Sequence, residues 1–321
     1  MPRILTGIQS SGVPHLGNVL GAMIPAIKLS ENNQSFFFIA DLHSLTTIKD
    51  PEKLQQNTLA TAAAWLAFGL NTNNNVLYRQ SDIPQVAELM WYLNCVTPFP
   101  MLANAHSFKD KSNKLSDVNA GLFTYPVLMA ADIILYDAQI VPVGKDQLQH
   151  LEITRDIANS FNYLFGETFI IPEAKINAKQ MIVPGTDGQK MSKSYQNCIN
   201  ILAEEAILKK QIMSIITDSK GLEESKIPNN CNIFQIYQLI GSESQVQDLR
   251  KKYTNGGFGY GHAKTALLEL ILEKYKEPRL KFKKLMANPQ LVNLELKKGA
   301  KKAKKIADSV MKKVKKNIGL V

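Results

Sequence analysis

From the start of the chain to about residue 200, short apolar runs alternate with longer stretches in which apolar residues recur every three or four positions. Ile4, Leu5 and Ile8 mark the first run, and Phe36 to Ala40, Val76 to Tyr78 and Gln139 to Val143 predict further strands. Each is followed by a polar turn and a helical pattern, beginning with Leu16, Val19, Leu20, Met23, Ile24 and Ile27. Strand and helix in alternation is the rhythm of a doubly wound parallel sheet, an α/β fold whose ligands sit at the carboxyl ends of the strands. From 201 to 290 the pattern turns wholly helical, interrupted at Pro228, Asn229 and Asn230 and at "NGGFGYG" (255–261). A second, smaller, all-helical domain is expected there. The asparagines at 71, 73, 74 and 75 predict loop, and no internal repeat is present.

Composition adds limits. With 321 residues, 45% of them hydrophobic and 21% charged, the chain can bury a sizeable core and form two domains. The first residues carry no secretory pattern and no apolar run reaches membrane-spanning length, so a cytoplasmic location is expected. Cys95, Cys198 and Cys231 lie far apart without a CxxC pair, which predicts reduced thiols and no protein-bound metal.

The net charge of +10 is uneven. Residues 291–321 hold ten lysines against Glu295 and Asp308, a local net of +8. Ala303, Ile306, Ala307, Val310, Val314 and Ile318 recur within this stretch at helical spacing, so it predicts an amphipathic helix with one basic face. Two readings of that face stand side by side, a solvated surface and a contact with nucleic acid.

Chemistry is concentrated in two stretches. The first is "SGVPHLGNVLG" (10–20), a glycine turn between the first strand and the first helix. Gly12 and Gly17 have P-loop spacing, but Asn18 and Val19 stand where that motif needs Lys and Ser or Thr. No dinucleotide fingerprint fits either. What remains is a helix N-terminus with exposed amides, suited to anions, with His15 beside it; a tight turn with a capping role explains the same residues. The second is "GTDGQKMSKSYQN" (185–197), whose Lys190 and Lys193 lie in a glycine- and serine-flanked loop, as expected of a cationic lid over polyphosphate.

K-M-S-K-S, following a P-H-L-G-N turn far upstream, resembles the paired ATP-binding sequences of class I aminoacyl-tRNA synthetases. Ser10 departs from relatives that have proline there, while Gly12, His15, Gly17 and Asn18 are kept. The stretch "YPVLMAADIILYDAQIVPVGKDQLQHLEITRDIANSF" (125–161), with "IADLHSLT", "FKDKS" and "GAKKAKKIA", resembles the tryptophanyl family within that class. Tyr125, Met129 and Asp132 share one helical face. Taken alone, that face also fits an amphipathic core helix. In the sister tyrosyl family the middle position is typically glutamine. A methionine instead offers a soft apolar wall, and an ionised Asp132 accepts from the donor-only indole N–H.

The resemblance implies the remaining site residues by position. Gln9 and His43, with Gln147, would meet the amino and carboxylate groups of tryptophan. Ser10, Ser11, Gly17 and Asn18 would line the ATP site, with Lys190, Met191, Ser192, Lys193 and Ser194 of the loop. Gly144, Lys145 and Asp146 fall where relatives place ribose contacts, with Lys145 replacing a common glutamate. Met181 or Ile182 would meet adenine, and Lys111 is a third phosphate candidate or a solvated lysine. His15, Lys190 and Lys193 would carry the catalysis, with ATP as substrate, Mg²⁺ carried by it, and tRNA as acceptor.

The same resemblance implies a Rossmann-like catalytic domain over 1–200, completed by the helix 291–321. It also implies a helical anticodon-binding domain over 201–290 and a homodimer. Two other functions differ in class. A cofactor-making nucleotidyltransferase shares the histidine turn but is generally shorter, and an inactive RNA-binding paralogue would lack the lysines or the amino-acid pocket.

Overall fold

The computed structural model describes residues 2–105, 108, 118–144, 147–176 and 182–320. Five strands, β1 (Arg3–Gln9), β2 (Gln34–Ala40), β3 (Val76–Arg79), β4 (Ile140–Val143) and β5 (Glu173–Ile176), form one parallel sheet in the order β3-β2-β1-β4-β5. The expected doubly wound sheet is therefore present. Its fifth strand, "EAKI", is too short and too polar to stand out in the sequence.

The strand order reverses between β1 and β4. These two pair only at Ile4 and Ile140, near their starts, whereas β1 and β2 stay in register from Arg3–Gln34 to Gln9–Ala40. Beyond Ile4 the β1 and β4 ends are unpaired with each other, which opens a crevice at the topological switch point.

Helices flank the sheet in chain order. α1 (Leu16–Asn18) continues through a π-helical turn, Val19–Met23, into α2 (Ile24–Ser30). There follow α3 (Asp41–Ser44), α4 (Pro51–Ala67), α5 (Gln85–Asn94), α6 (Phe99–Ala103), α7 (Ala120–Ile134) and α8 (Leu148–Phe165). The helical stretch holds α9 (Glu205–Met213), α10 (Asn232–Ile240), α11 (Glu243–Asn255), α12 (Tyr260–Lys274) and α13 (Lys276–Ala287), and α14 (Pro289–Asn317) closes the chain.

Period-two alternation in β2 sends Phe37 and Ile39 to one face and Phe36 and Phe38 to the other. On the first face Phe37 meets the edge of Trp65 at 4.9 Å, and the apolar layer continues without a break into Ile212, Phe234, Tyr253 and Leu267 of the helical stretch. On the second face lie Val127, Ile134, Leu151 and Ile157 of α7 and α8.

α14 belongs to both layers. Val292 and Leu296 join the first; Ala303, Ala307, Val310 and Val314 join the second. Between them Gly299 lies on the backbone of β3, where an added Cβ would sit 1.8 Å from the Leu77 carbonyl oxygen. Only glycine lets the helix pass this close to the strand. The predicted amphipathic helix is thus a clasp around the β3 edge of the sheet.

Candidate active site

The glycine turn after β1 is built around two residues that cap each other. The His15 Nδ1 accepts from the Asn18 N–H at 3.3 Å, while the His15 N–H donates to Asn18 Oδ1 at 3.2 Å. A ring whose Nδ1 accepts carries its proton on Nε2. Burial, reinforced by the nearby Lys193 ammonium, pushes the His15 pKa down to about 4. At neutral pH His15 is therefore an uncharged N–H donor, and any positive charge at this end comes from lysine. Gly12 has φ +128°, a conformation that favours glycine, and a Cβ there would lie 3.3 Å from Lys193 Nζ.

The K-M-S-K-S loop closes on this turn. The Gly17 N–H points to Met191 Sδ at 3.4 Å, the Leu16 N–H donates to Ile199 O at 2.9 Å, and Lys193 Nζ lies 3.4 Å from Ser11 Oγ. Burial holds the Lys193 ammonium below the ordinary lysine value, with Cys198 offsetting part of the effect. Asn197, fully buried, shapes the loop from inside. It accepts from the Ser192 N–H at 2.8 Å, donates to Asp187 at 2.7 Å and to the Lys190 carbonyl at 3.2 Å, and its own carbonyl accepts from Thr186.

A cavity of about 590 Å³ opens at the switch point, walled by Gly7, Ile8 and Gln9 of β1 and by Val141, Pro142, Val143 and Gly144 at the end of β4. Ser11, Gly12, Asn18 and Lys193 form one end; His43, Tyr125, Met129, Asp132 and His150 form the other, with Gln147 at its rim. Gly7 pairs with Phe38, and the Phe38 ring occupies the space a Cβ would need, 2.3 Å away. This cross-strand substitution of ring for side chain makes a flat apolar wall.

The far end is polar and buried. Asp132, buried in α7, receives His43 Nε2 at 2.8 Å and the Gln80 amide on both oxygens, at 2.9 and 2.8 Å. Burial raises the Asp132 pKa, and the bonds from His43 and Gln80 counter part of that rise. The Tyr125 ring packs edge-on against His43 at 4.8 Å and His150 at 5.3 Å. His43, expected at the amino and carboxylate groups of the substrate, lines the cavity and is held by its bond to Asp132. Its Nδ1 is buried without a partner among the described residues.

Of the residues named from sequence, Gln9, Ser11, Asn18, Gly144, Gln147, Lys193, His43, Tyr125, Met129 and Asp132 all line this one cavity. His15, Gly17 and Met191 lie just outside the lining, the Gly17 N–H meeting Met191 Sδ, and the Ser192 hydroxyl caps the next turn by accepting from the Ser194 N–H at 3.3 Å. Ser10 lies outside the lining: its hydroxyl and N–H both bond to Ser44 Oγ, at 3.0 and 3.1 Å, pinning the turn to α3. Lys190, Ser194 and Ile182 are exposed and do not line it. Lys111, Lys145, Asp146 and Met181 lie outside the described residues. Sequence reading missed Gln80, and it assigned no role in the site to Phe38 of β2 or to Asn197 at the end of the lysine-bearing loop. Among the described residues no group of His, Cys, Asp and Glu stands together as a metal site, and the three cysteines are unpaired thiols.

The model of the tRNA synthetases class I (W and Y) matches residues 1–276. A tryptophan–tRNA ligase of Campylobacter jejuni is 50% identical over 318 residues, covering 99% of this chain and 100% of that protein. One from Rhodopirellula baltica is 48% identical, covering 99% of each. The crystal structure of the Campylobacter jejuni tryptophanyl-tRNA synthetase complexed with ADP and tryptophan matches with a TM-score of 0.96, over 99% of this chain and 100% of that one. The Mycoplasma pneumoniae tryptophanyl-tRNA synthetase, 30% identical, matches with a TM-score of 0.83. Two ATP motifs brought into contact, a cavity ending in a buried carboxylate, and relatives of this identity lead to one conclusion: the chain belongs to the tryptophanyl-tRNA synthetases of class I.

Proposed function

We propose that the chain activates L-tryptophan with ATP, releasing pyrophosphate, and passes the tryptophanyl group to the 3′ end of its tRNA. One observation carries this reading: Lys193 and the capped glycine turn face Asp132 across a single cavity between β1 and β4. The solved relative holds ADP and tryptophan together, which supports the same pairing of ligands here.

In this reading tryptophan lies with its ring against Phe38 and Met129 and its indole N–H on Asp132. Its carboxylate, placed toward Lys193, is the nucleophile that attacks the α-phosphorus in line, and pyrophosphate leaves. The protein supplies position and charge stabilisation: Lys193 as the cation, the His15 Nε2–H and the turn amides as neutral donors. Mg²⁺ enters with ATP as part of that substrate. In the second step a ribose hydroxyl of the tRNA terminus, the 2′ hydroxyl by analogy with class I, attacks the adenylate carbonyl and loses its proton as the mixed anhydride breaks and AMP leaves.

The helical stretch 201–290 would form the anticodon-binding domain, and residues 1–200 with α14 the catalytic one. A homodimer is supported by exposed Trp91 and Phe99, the latter tilted against Phe123 with ring centroids 5.1 Å apart, beside an open apolar hollow. No helix among the described residues is long and apolar enough to cross a membrane, in keeping with a cytoplasmic enzyme. ATP–pyrophosphate exchange with each amino acid in turn tests the activity. Exchange driven by tryptophan alone is expected; exchange driven by tyrosine in preference would overturn the assignment.

A further inference from the structure

The chain's excess charge belongs to its last two helices. Residues 276–317 carry fifteen Lys and Arg against Glu277, Glu295 and Asp308, so the rest of the molecule is slightly acidic. Ion pairing then divides the lysines of α14 into two sets. Lys298, Lys304, Lys313 and Lys315 are taken up by Glu295, Asp308, Asp137 and Glu88. Lys302 is taken up by the carbonyls of Thr72 and Asn73. Lys297, Lys301, Lys305, Lys312 and Lys316 are exposed and have no acidic partner among the described residues.

These five are spaced four, four, seven and four residues apart. At helical pitch they fall within an arc of about 100°, in a line about 28 Å long. Asp308 interrupts the line, but both its oxygens are occupied by Lys304, at 2.8 and 2.9 Å. Unpaired cations one helical turn apart match the repeat of phosphates along a nucleic-acid strand. Lipid is a poorer match, because the apolar side of α14 is already spent on the sheet and has nothing to insert.

We propose that this lysine stripe is a docking surface for the phosphate backbone of RNA. Only the naming of that RNA as tRNA rests on the activity read above. Phosphate contacts of this kind set position and orientation and carry no sequence information.

The test is binding of a tRNA(Trp) transcript to the full-length protein across a range of KCl concentrations. It compares wild type, the five lysines changed to Gln, the five changed to Arg, and the paired Lys298, Lys304, Lys313 and Lys315 changed to Gln. The stripe-to-Gln protein is expected to bind about tenfold or more weakly, with the slope of log affinity against log salt reduced by about 3 to 4. The Arg protein should restore both, and tryptophan-dependent pyrophosphate exchange should stay at the wild-type rate. Lys301→Gln alone, which keeps the fold safe, should lower the slope by about 1. An unchanged slope, or an equal loss in the paired-set protein, would overturn the proposal. So would stripe-dependent binding to phosphatidylserine vesicles without binding to RNA. A wild-type protein whose stripe governs RNA binding but which fails to exchange pyrophosphate with tryptophan would remove the activity reading and leave the surface standing.

Discussion

Gln80 donates from one amide nitrogen to both oxygens of Asp132, while its own oxygen accepts from the backbone N–H groups of Leu42 and His43 at 3.1 and 3.3 Å. A fully buried amide thus ties the carboxylate on α7 to the start of α3 with no bonding capacity left unused toward either.

Replacing Gln80 with Met leaves Asp132 with His43 alone and strands the buried His43 N–H, while the Leu42 N–H keeps Asp41 Oδ1, at a cost of about 1–3 kcal/mol in stability. The Asp132 carboxyl then rises further, so the acid limb of tryptophan activation moves to higher pH. Gln80→Glu, which sets a second carboxylate against the first, should move it more. The pH profile of kcat/KM in pyrophosphate exchange measures this. A lower stability with an unmoved limb would reduce Gln80 to scaffold.

Selectivity should reside in Asp132. A charge-assisted bond to the indole N–H is lost by phenylalanine, and sites built on such a contact reject the analogue far better than apolar shape does. Asp132→Ala is expected to cost tryptophan ~2–4 kcal/mol in the specificity constant and phenylalanine much less. Exchange assays with tryptophan, tyrosine and phenylalanine decide it; an equal loss for all three would make Asp132 a framework residue.

The two lysines of the K-M-S-K-S loop should not be equivalent. Lys193 lines the cavity beside Ser11 and Gly12, whereas Lys190 is exposed outside it. Lys193→Ala is expected to slow adenylate formation by ~2–4 kcal/mol with little change in tryptophan affinity, and Lys190→Ala by clearly less. Rapid-quench measurement of the first turnover separates the two. Equal effects would mean that the loop closes further on ATP than this conformation shows.

His15 makes the fold sensitive to acid. Its folded pKa is about 4, below the ordinary value of 6.5, so the unfolded chain binds the proton first. Stability present above pH 6.5 should therefore fall as the pH drops toward 4. Asp41 and Asp132, whose carboxyls burial raises, bind protons more readily when folded and act in the opposite direction. Urea midpoints measured across this window should decline in the wild type and flatten in His15→Gln, which keeps an N–H donor without the titration.

Much of this was legible in the chain. The alternation of β2 and the paired motifs announced the sheet and the phosphate end, because both are local in sequence. Tyr125, Met129 and Asp132 were legible as one helical face for the same reason. Gln80 was not: it lies 52 residues from Asp132, in a turn that carries no pattern, and only the sheet order brings the two together. Ser10 shows the converse. It sits within a legible motif, yet its hydroxyl is turned to Ser44 and away from the cavity. The lysines of α14 were legible only in part: Lys298 and Lys304 pair with Glu295 and Asp308 one turn away on the same helix, whereas Lys313 and Lys315 take Asp137 and Glu88 from distant elements.

β3 is one of the two outer strands of the sheet, and the helix wrapped around it is made long after the strand itself. Every other strand can find its neighbours while synthesis proceeds, since domains fold progressively from the N-terminus. The Val76–Arg79 edge must wait for a helix more than 200 residues downstream. Until then it presents open backbone groups to other nascent chains, the hazard that uncovered strand edges bring. Synthesis of α14 is thus also the step at which this edge of the sheet becomes safe from other copies of the chain.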